Sequence, residues 1–239
     1  MIHSSTDARG QQREVSQSHV TDELFSIRDV FSLMLKTMGP SHWWPAQTRF
    51  EVMVGAILTQ NTAWGNVASS LEQLRAAEAL NPQTLIHTDN NRLQELIRPS
   101  GFQKNKSRAL QSLCQWYQDQ CAFEPQRVRE MADTDLRAQL LNIFGIGGET
   151  ADDMLLYVFD RKVFIADTYA RRLCTFLGFD VPKGYEAFRS WMMPQIASES
   201  FTLSELQEFH GLIDEFGKAH RSAESMKGSF LADIAALRA

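Results

Sequence analysis

Cysteine is scarce in this sequence, with three residues in 239: Cys114, Cys121 and Cys174. An odd count in no compact pattern excludes a disulfide framework and points to a reducing compartment. Cys114 and Cys121 stand two helical turns apart, as small buried residues on one helix face would. No stretch has zinc-ligand spacing. No apolar run is long enough to span a bilayer, so no membrane association is expected. The polar N-terminal stretch lacks the apolar core of a secretory signal, and the expected location is the cytoplasm. Strand signals are missing as well, with no Asn-Gly turn and no sustained alternation. There is no internal low-complexity linker and no repeat of solenoid length. Positive charge is in deficit: 24 Lys and Arg against 29 Asp and Glu give a net charge of −5. As an average, that argues against a nucleic-acid partner, because phosphates must be neutralised. Two segments reverse the sign. "IRPSGFQKNKSRAL" carries Arg98, Lys104, Lys106 and Arg108 with no acid, and "DRKVFIADTYARR" adds Arg161, Lys162, Arg171 and Arg172. Either the basic charge is sorted onto one face or these are ordinary solvated helix surfaces.

What is present is helix. "DELFSIRDVFSLMLKTM" sets Leu24, Phe25, Ile27, Val30, Phe31, Met34 and Leu35 on one stripe, with Asp22 near its start. "RFEVMVGAILTQNT" is apolar almost to its end and reads as a central buried helix, with a strand as the alternative. Helical periodicity continues through most of the remaining chain. The fold class is all-α, with many short helices at varied angles. Residues 1–20 are polar and without period, and a disordered tail is expected there.

One helical pair is joined by "FGIGGET", with Gly145, Gly147 and Gly148 in four residues. Glycine allows positive φ and close backbone approach. The amides at the start of the second helix can bind a phosphate, and phosphate binding carries no sequence preference. A plain tight turn would use the same glycines.

The run "LLNIFGIGGETADDMLLYVFDRKVFIADTYARRLCTFLGF" resembles the helix-hairpin-helix DNA glycosylase superfamily, whose best-known branch is endonuclease III. "AILTQNT", "LIRPSGFQKNKSRAL" and "FHGLIDEFGKAH" are similar to further motifs of that family, in the same order, over roughly 50–220. The resemblance implies two helical lobes with a cleft between them. A six-helix lobe would span 48–163, with the hairpin at about 136–159. The second lobe would join 21–47 to 164–239. The implied partner is double-stranded DNA containing a damaged base, bound by a monomer in the cytoplasm and associated with the nucleoid.

The resemblance also implies roles. Asp167 matches the family's essential aspartate, and a helix N-cap is its other natural use. A carboxylate there stabilises positive charge on the sugar and takes a proton from the attacking water. Bifunctional relatives keep a lysine in the helix after the hairpin as a Schiff-base nucleophile. Glu149 stands in its place, and a carboxylate forms no Schiff base. The expected activity is therefore base removal without strand cleavage. Relatives that hold an iron–sulfur cluster place four cysteines after this region. Arg221 occupies the first of those positions and no cysteine follows Cys174. No cluster and no required cofactor are expected, although the family seats a monovalent cation on hairpin carbonyls.

Gln60 matches the family's wedge position, and Asn61 follows it. Lys104, Lys106 and Arg171 are candidates for phosphates beyond those held by the Gly145, Gly147 and Gly148 amides. Trp43 and Trp44 lie between prolines and read either as core or, with Phe50 and Glu149, as the wall of a base pocket. An aromatic wall suits a cationic base. Alkylated purines of the 3-methyladenine type are cationic, and the pattern is similar to the 3-methyladenine glycosylase branch. Oxidised or mismatched bases, or a non-catalytic helix-hairpin-helix DNA-binding protein, are the alternatives.

Overall fold

The computed structural model describes residues 25–237, which form thirteen α-helices, two 3₁₀ turns and no strand. The expected tail over 1–20, and the Asp22 and Leu24 positions, lie outside the described residues. Helix α1 (Ile27–Met38) starts at a capping box rather than near Asp22. Ser26 Oγ accepts the Asp29 amide at 3.2 Å, and the Asp29 carboxylate accepts the Ser26 amide at 2.8 Å. Its buried stripe is Ile27, Val30, Phe31 and Met34.

Helix α2 (Arg49–Leu58) settles the strand alternative for the apolar segment. It is capped by Thr48 and buried from Phe50 to Leu58. Around it stand α3 (Trp64–Ala76), α6 (Gln103–Cys121) and α8 (Gly148–Tyr157), each in contact with it. Cys114 and Cys121 are both buried on α6, where burial pushes the thiols up to about 12 and about 11. Short helices α4 (Pro82–His87) and α5 (Asn90–Leu96) pack on α6, and α7 (Asp133–Leu141) packs on α8. Residues 48–163 therefore hold seven α-helices where six are expected, because Thr88 and Asp89 break α4 from α5 and the Asp89 carboxylate caps the second.

A second group is formed by α9 (Thr168–Phe176), α10 (Tyr185–Ser198) and α11 (Leu203–Ala219), followed by α12 (Ala223–Lys227) and α13 (Ala232–Ala236). Helix α1 joins it across the length of the chain. Arg28 pairs with Glu205 at 3.0 Å, and the Glu199 carboxylate accepts the Ile27 and Arg28 amides. Helix α8 is the shared element, touching α2 and α7 on one side and α10 and α11 on the other. The protein is all-α, with two helical lobes and a cleft between them.

The joint at α8 is electrostatic. Asp152 is fully buried and accepts from Arg137 (2.9 Å), Arg189 (2.7 Å) and the Tyr185 hydroxyl (2.8 Å). These groups come from α7 and α10, so one carboxylate ties three helices together.

Candidate active site

The hairpin between α7 and α8 uses its glycines for different reasons. Gly145 has φ +81°, and a Cβ there would lie 2.8 Å from the Ala109 Cβ. That position requires glycine twice over. Gly147 is exposed with open space around it, and no side chain caps the helix it begins. Gly148 is crowded instead. A Cβ there would run into the Glu186 carboxylate and lie 2.8 Å from the Tyr185 ring, so its glycine is required by packing on α10.

Gln60 lies beside the hairpin. Its amide donates to the Gly145 carbonyl (2.9 Å) and the Thr150 hydroxyl (3.0 Å). Asn61 is exposed, with φ +52°. Both line a shallow depression shared with Phe102, Phe144 and Gly145. Lys104 is exposed nearby. Lys106 is not available to a phosphate. It is 3% exposed, and its ammonium donates to the Leu58 carbonyl, the Thr62 hydroxyl and the Ser100 carbonyl, each at 2.8 Å. It braces the Gln60–Thr62 loop from beneath, and burial pulls its pKa down to about 8. Phe102 escaped the sequence reading. It is 65% exposed, in a left-handed conformation at the start of α6. An aromatic residue between glycine and basic residues was the available signal.

Asp167 caps α9, accepting the Ala170 amide at 2.7 Å. It is half-buried, and burial with the nearby charges of Glu149 and Asp214 raises its carboxyl to about 7 against the pull of the capping amides. Glu149 reaches the surface, yet the protein around it excludes enough water to raise its pKa as well. One and two turns on, Asp153 and Tyr157 continue the same face of α8. Helix α11 faces them with His210, Asp214 and Lys218. The Tyr157 hydroxyl donates to the Gln207 carbonyl (3.0 Å) and lies 2.8 Å from His210 Nδ1. Burial and Lys218 push His210 down to about 3, so its ring is neutral.

Trp43 and Trp44 join this cleft with Trp64. Ring centroids lie 5.0 Å apart for Trp43 and Trp44, 5.1 Å for Trp43 and Trp64, and 5.5 Å for Trp44 and Tyr157. The Lys218 ammonium, paired with Asp214, sits 4.9 Å from the Trp43 ring centre. Both indole N–H groups of the pair are buried without an acceptor among the described residues. Two glycines admit the pair: Gly55 lies under the Trp44 indole, and Gly211 under Ser41 and Trp43. A Cβ on Gly211 would fall 2.6 Å from the Trp43 Cβ. Gly211→Ala is expected to displace the tryptophan segment, lowering base-release activity at least tenfold with a cooperative melt retained. Tryptophan fluorescence and single-turnover kinetics would check this.

Phe50 does not belong to this wall. It is buried on the other side of α2, stacked on Tyr117 with centroids 6.5 Å apart. Trp64 takes part instead. Arg171 is partly exposed on α9. Its neighbour Arg172 turns inward and donates to the Gly217 (2.6 Å) and His220 (3.3 Å) carbonyls, tying the segment after α11 to α9.

Comparison with known proteins agrees with this geometry. Residues 54–193 match the HhH-GPD superfamily of base excision DNA repair proteins. A Methanocaldococcus jannaschii protein named "Putative DNA repair glycosylase" is 37% identical over 198 residues, covering 80% of this chain and 87% of its own. The structure of the Helicobacter pylori 3-methyladenine DNA glycosylase bound to 1,N6-ethenoadenine superposes with a TM-score of 0.66. It is 29% identical, over 81% of this chain and 98% of that one. A trapped endonuclease III–DNA covalent intermediate gives a TM-score of 0.69 at 22% identity, over 87% and 93% of the two chains, and so shares the fold. The chain belongs to the HhH-GPD superfamily and is a DNA glycosylase of base excision repair.

Proposed function

We propose that the protein is a monofunctional glycosylase that hydrolyses the N-glycosidic bond of a flipped alkylated purine, of the 3-methyladenine type, and leaves an abasic site. The observation that carries this reading is the pairing of Asp167 with a carboxylate, Glu149, where a Schiff-base mechanism needs an amine. The amine that does reach the cleft, Lys218, is engaged by Asp214 and the face of Trp43.

DNA binds as a duplex, with phosphates on the hairpin amides, Lys104 and Arg171. Gln60, Asn61 and Phe102 fill the space of the extruded nucleotide, as apolar and amide wedges do. As the bond from C1′ to the base nitrogen breaks, its electron pair leaves with the base. The Asp167 carboxylate stabilises the sugar cation and accepts a proton from the incoming water. A cationic purine departs neutral and needs no acid. The tryptophans offer it ring faces. The chain acts as a monomer in the cytoplasm, without a required cofactor; a monovalent cation on the hairpin carbonyls is compatible with this scheme.

The test is release of 3-methyladenine and 7-methylguanine from methylated DNA, together with borohydride trapping on abasic DNA. Wild type should release the bases and give no trapped complex, whereas Glu149→Lys should become trappable. Robust excision of an oxidised pyrimidine without 3-methyladenine release would refute the substrate class. Efficient trapping of wild type would refute the hydrolytic route.

A further inference from the structure

Four carboxylates are buried among the described residues: Glu51, Asp152, Asp153 and Asp214. Three have cationic partners. Glu51 meets Arg75, Asp152 meets Arg137 and Arg189, and Asp214 meets Lys218. Asp153 is 6% exposed and has no hydrogen-bond or ionic partner among the described residues. A carboxyl so deeply placed and without a cationic partner has hydrogen-bonding capacity left for a ligand. It lies on the α8 face between Glu149 and Tyr157, one turn from each, within the aromatic and acidic cleft already described.

We propose that Asp153 contacts the flipped base as a hydrogen-bond donor and general acid, and thereby extends the enzyme to neutral purines whose leaving group must be protonated. This rests on the glycosylase reading above and adds a second substrate class to it.

The surroundings favour a protonated carboxyl. The groups facing Asp153 are Glu149, Asp152 and Tyr157 on its own helix, Asp167 at the head of α9, Tyr185 on α10, and His210, Asp214 and Lys218 on α11. Burial and the four neighbouring carboxylates push its pKa well above the usual range. The one cation in this set, Lys218, is committed to Asp214. A neutral carboxyl donates through O–H and accepts through C=O. The acceptor nitrogens of a purine edge match the donor, and an exocyclic amino group matches the acceptor. During cleavage the bond between C1′ and N9 breaks, its electron pair enters the purine ring, and the Asp153 proton moves to a ring nitrogen. Water adds to C1′ and gives its proton to Asp167. Asp153 is left ionised and Asp167 protonated, and exchange with solvent resets both. The two acids thus differ in role because their starting protonation differs.

The experiment compares DNA containing hypoxanthine, a neutral purine, with DNA containing 7-methylguanine, a cationic one, under single turnover. Wild type is expected to release both. Asp153→Asn should lower hypoxanthine release at least ~100-fold more than 7-methylguanine release, the size of a general-acid contribution. In wild type, the ratio of hypoxanthine to 7-methylguanine release should fall as pH rises, because Asp167 acts on both substrates and cancels in the ratio. That second measurement needs no variant and stands if Asp153→Asn fails to fold. Equal losses on the two substrates, a pH-independent ratio, or no hypoxanthine release by wild type would each overturn the proposal. Absence of 7-methylguanine release would instead count against the alkylpurine reading, and the hypoxanthine arm reads out separately.

Discussion

Replacing Asp167 by asparagine is expected to lower base release at least ~100-fold and, above pH 7, to make the protein more stable. Both effects have one cause. Asn keeps the helix cap, because its side-chain oxygen can still accept the Ala170 amide. It cannot carry the negative charge that stabilises the sugar cation, nor take a proton from water. In the folded protein Asp167 titrates near 7, against 3.8 ordinarily, because burial and the Glu149 and Asp214 charges oppose ionisation. The folded state therefore holds this proton more tightly than the unfolded chain. The resulting cost to stability is absent below about pH 4. It grows as pH rises and is complete above the folded pKa. Asparagine removes it, so the melting temperature of the variant should exceed that of wild type near pH 8 and converge with it in acid. For a domain of this size, ~1 kcal/mol corresponds to ~2–4 °C. Wild-type release should show an acid limb near pH 7, rising as Asp167 ionises. A rate independent of pH across that limb, or unimpaired release by the variant, would remove Asp167 from the mechanism.

Asp152→Ala is expected to be the most damaging single change to the fold. Its carboxylate is wholly buried, and the side chains of Arg137 and Arg189 are only 13% and 17% exposed. Truncation leaves two guanidinium groups and the Tyr185 hydroxyl around an empty position. Breaking a buried pair from one side costs ~3–5 kcal/mol. That predicts a melting temperature lower by ~6–20 °C. Glu186 also binds Arg137, at 2.7 Å, but it is largely exposed and cannot neutralise both cations. Because α7, α8 and α10 meet at Asp152, DNA binding through the hairpin should weaken along with stability. Calorimetry and a titration with abasic-site DNA would measure the two losses, and a melt within a degree of wild type would show the network to be dispensable.

Much of this was legible before any coordinates. Glycine spacing located the hairpin, helical periodicity located most helices, and motif order placed Asp167 and Glu149 relative to it. These are local properties: a φ that only glycine tolerates, a cap three residues before its amide, a charge at a given helix position. Chain order does not tell which neighbours surround a side chain. Lys104 and Lys106 look alike in sequence, but Lys106 meets three acceptors from two other segments and is lost to DNA. Phe50 and Trp64 each carry an aromatic ring near the cleft-forming segments. The direction of α2 sends Phe50 to Tyr117, and the start of α3 brings Trp64 to the tryptophan pair. Asp152 and Asp153 are adjacent and chemically identical. A rotation of about 100° along the helix gives the first two arginines and leaves the second without a partner. The sequence by itself determined the fold class and located the glycine hairpin, because short-range spacing encodes them, and the order of its motifs singled out Asp167 by resemblance. Only the tertiary structure decided which charges are free, which are neutralised and which face the cleft, because that depends on helices distant in the chain closing around one another.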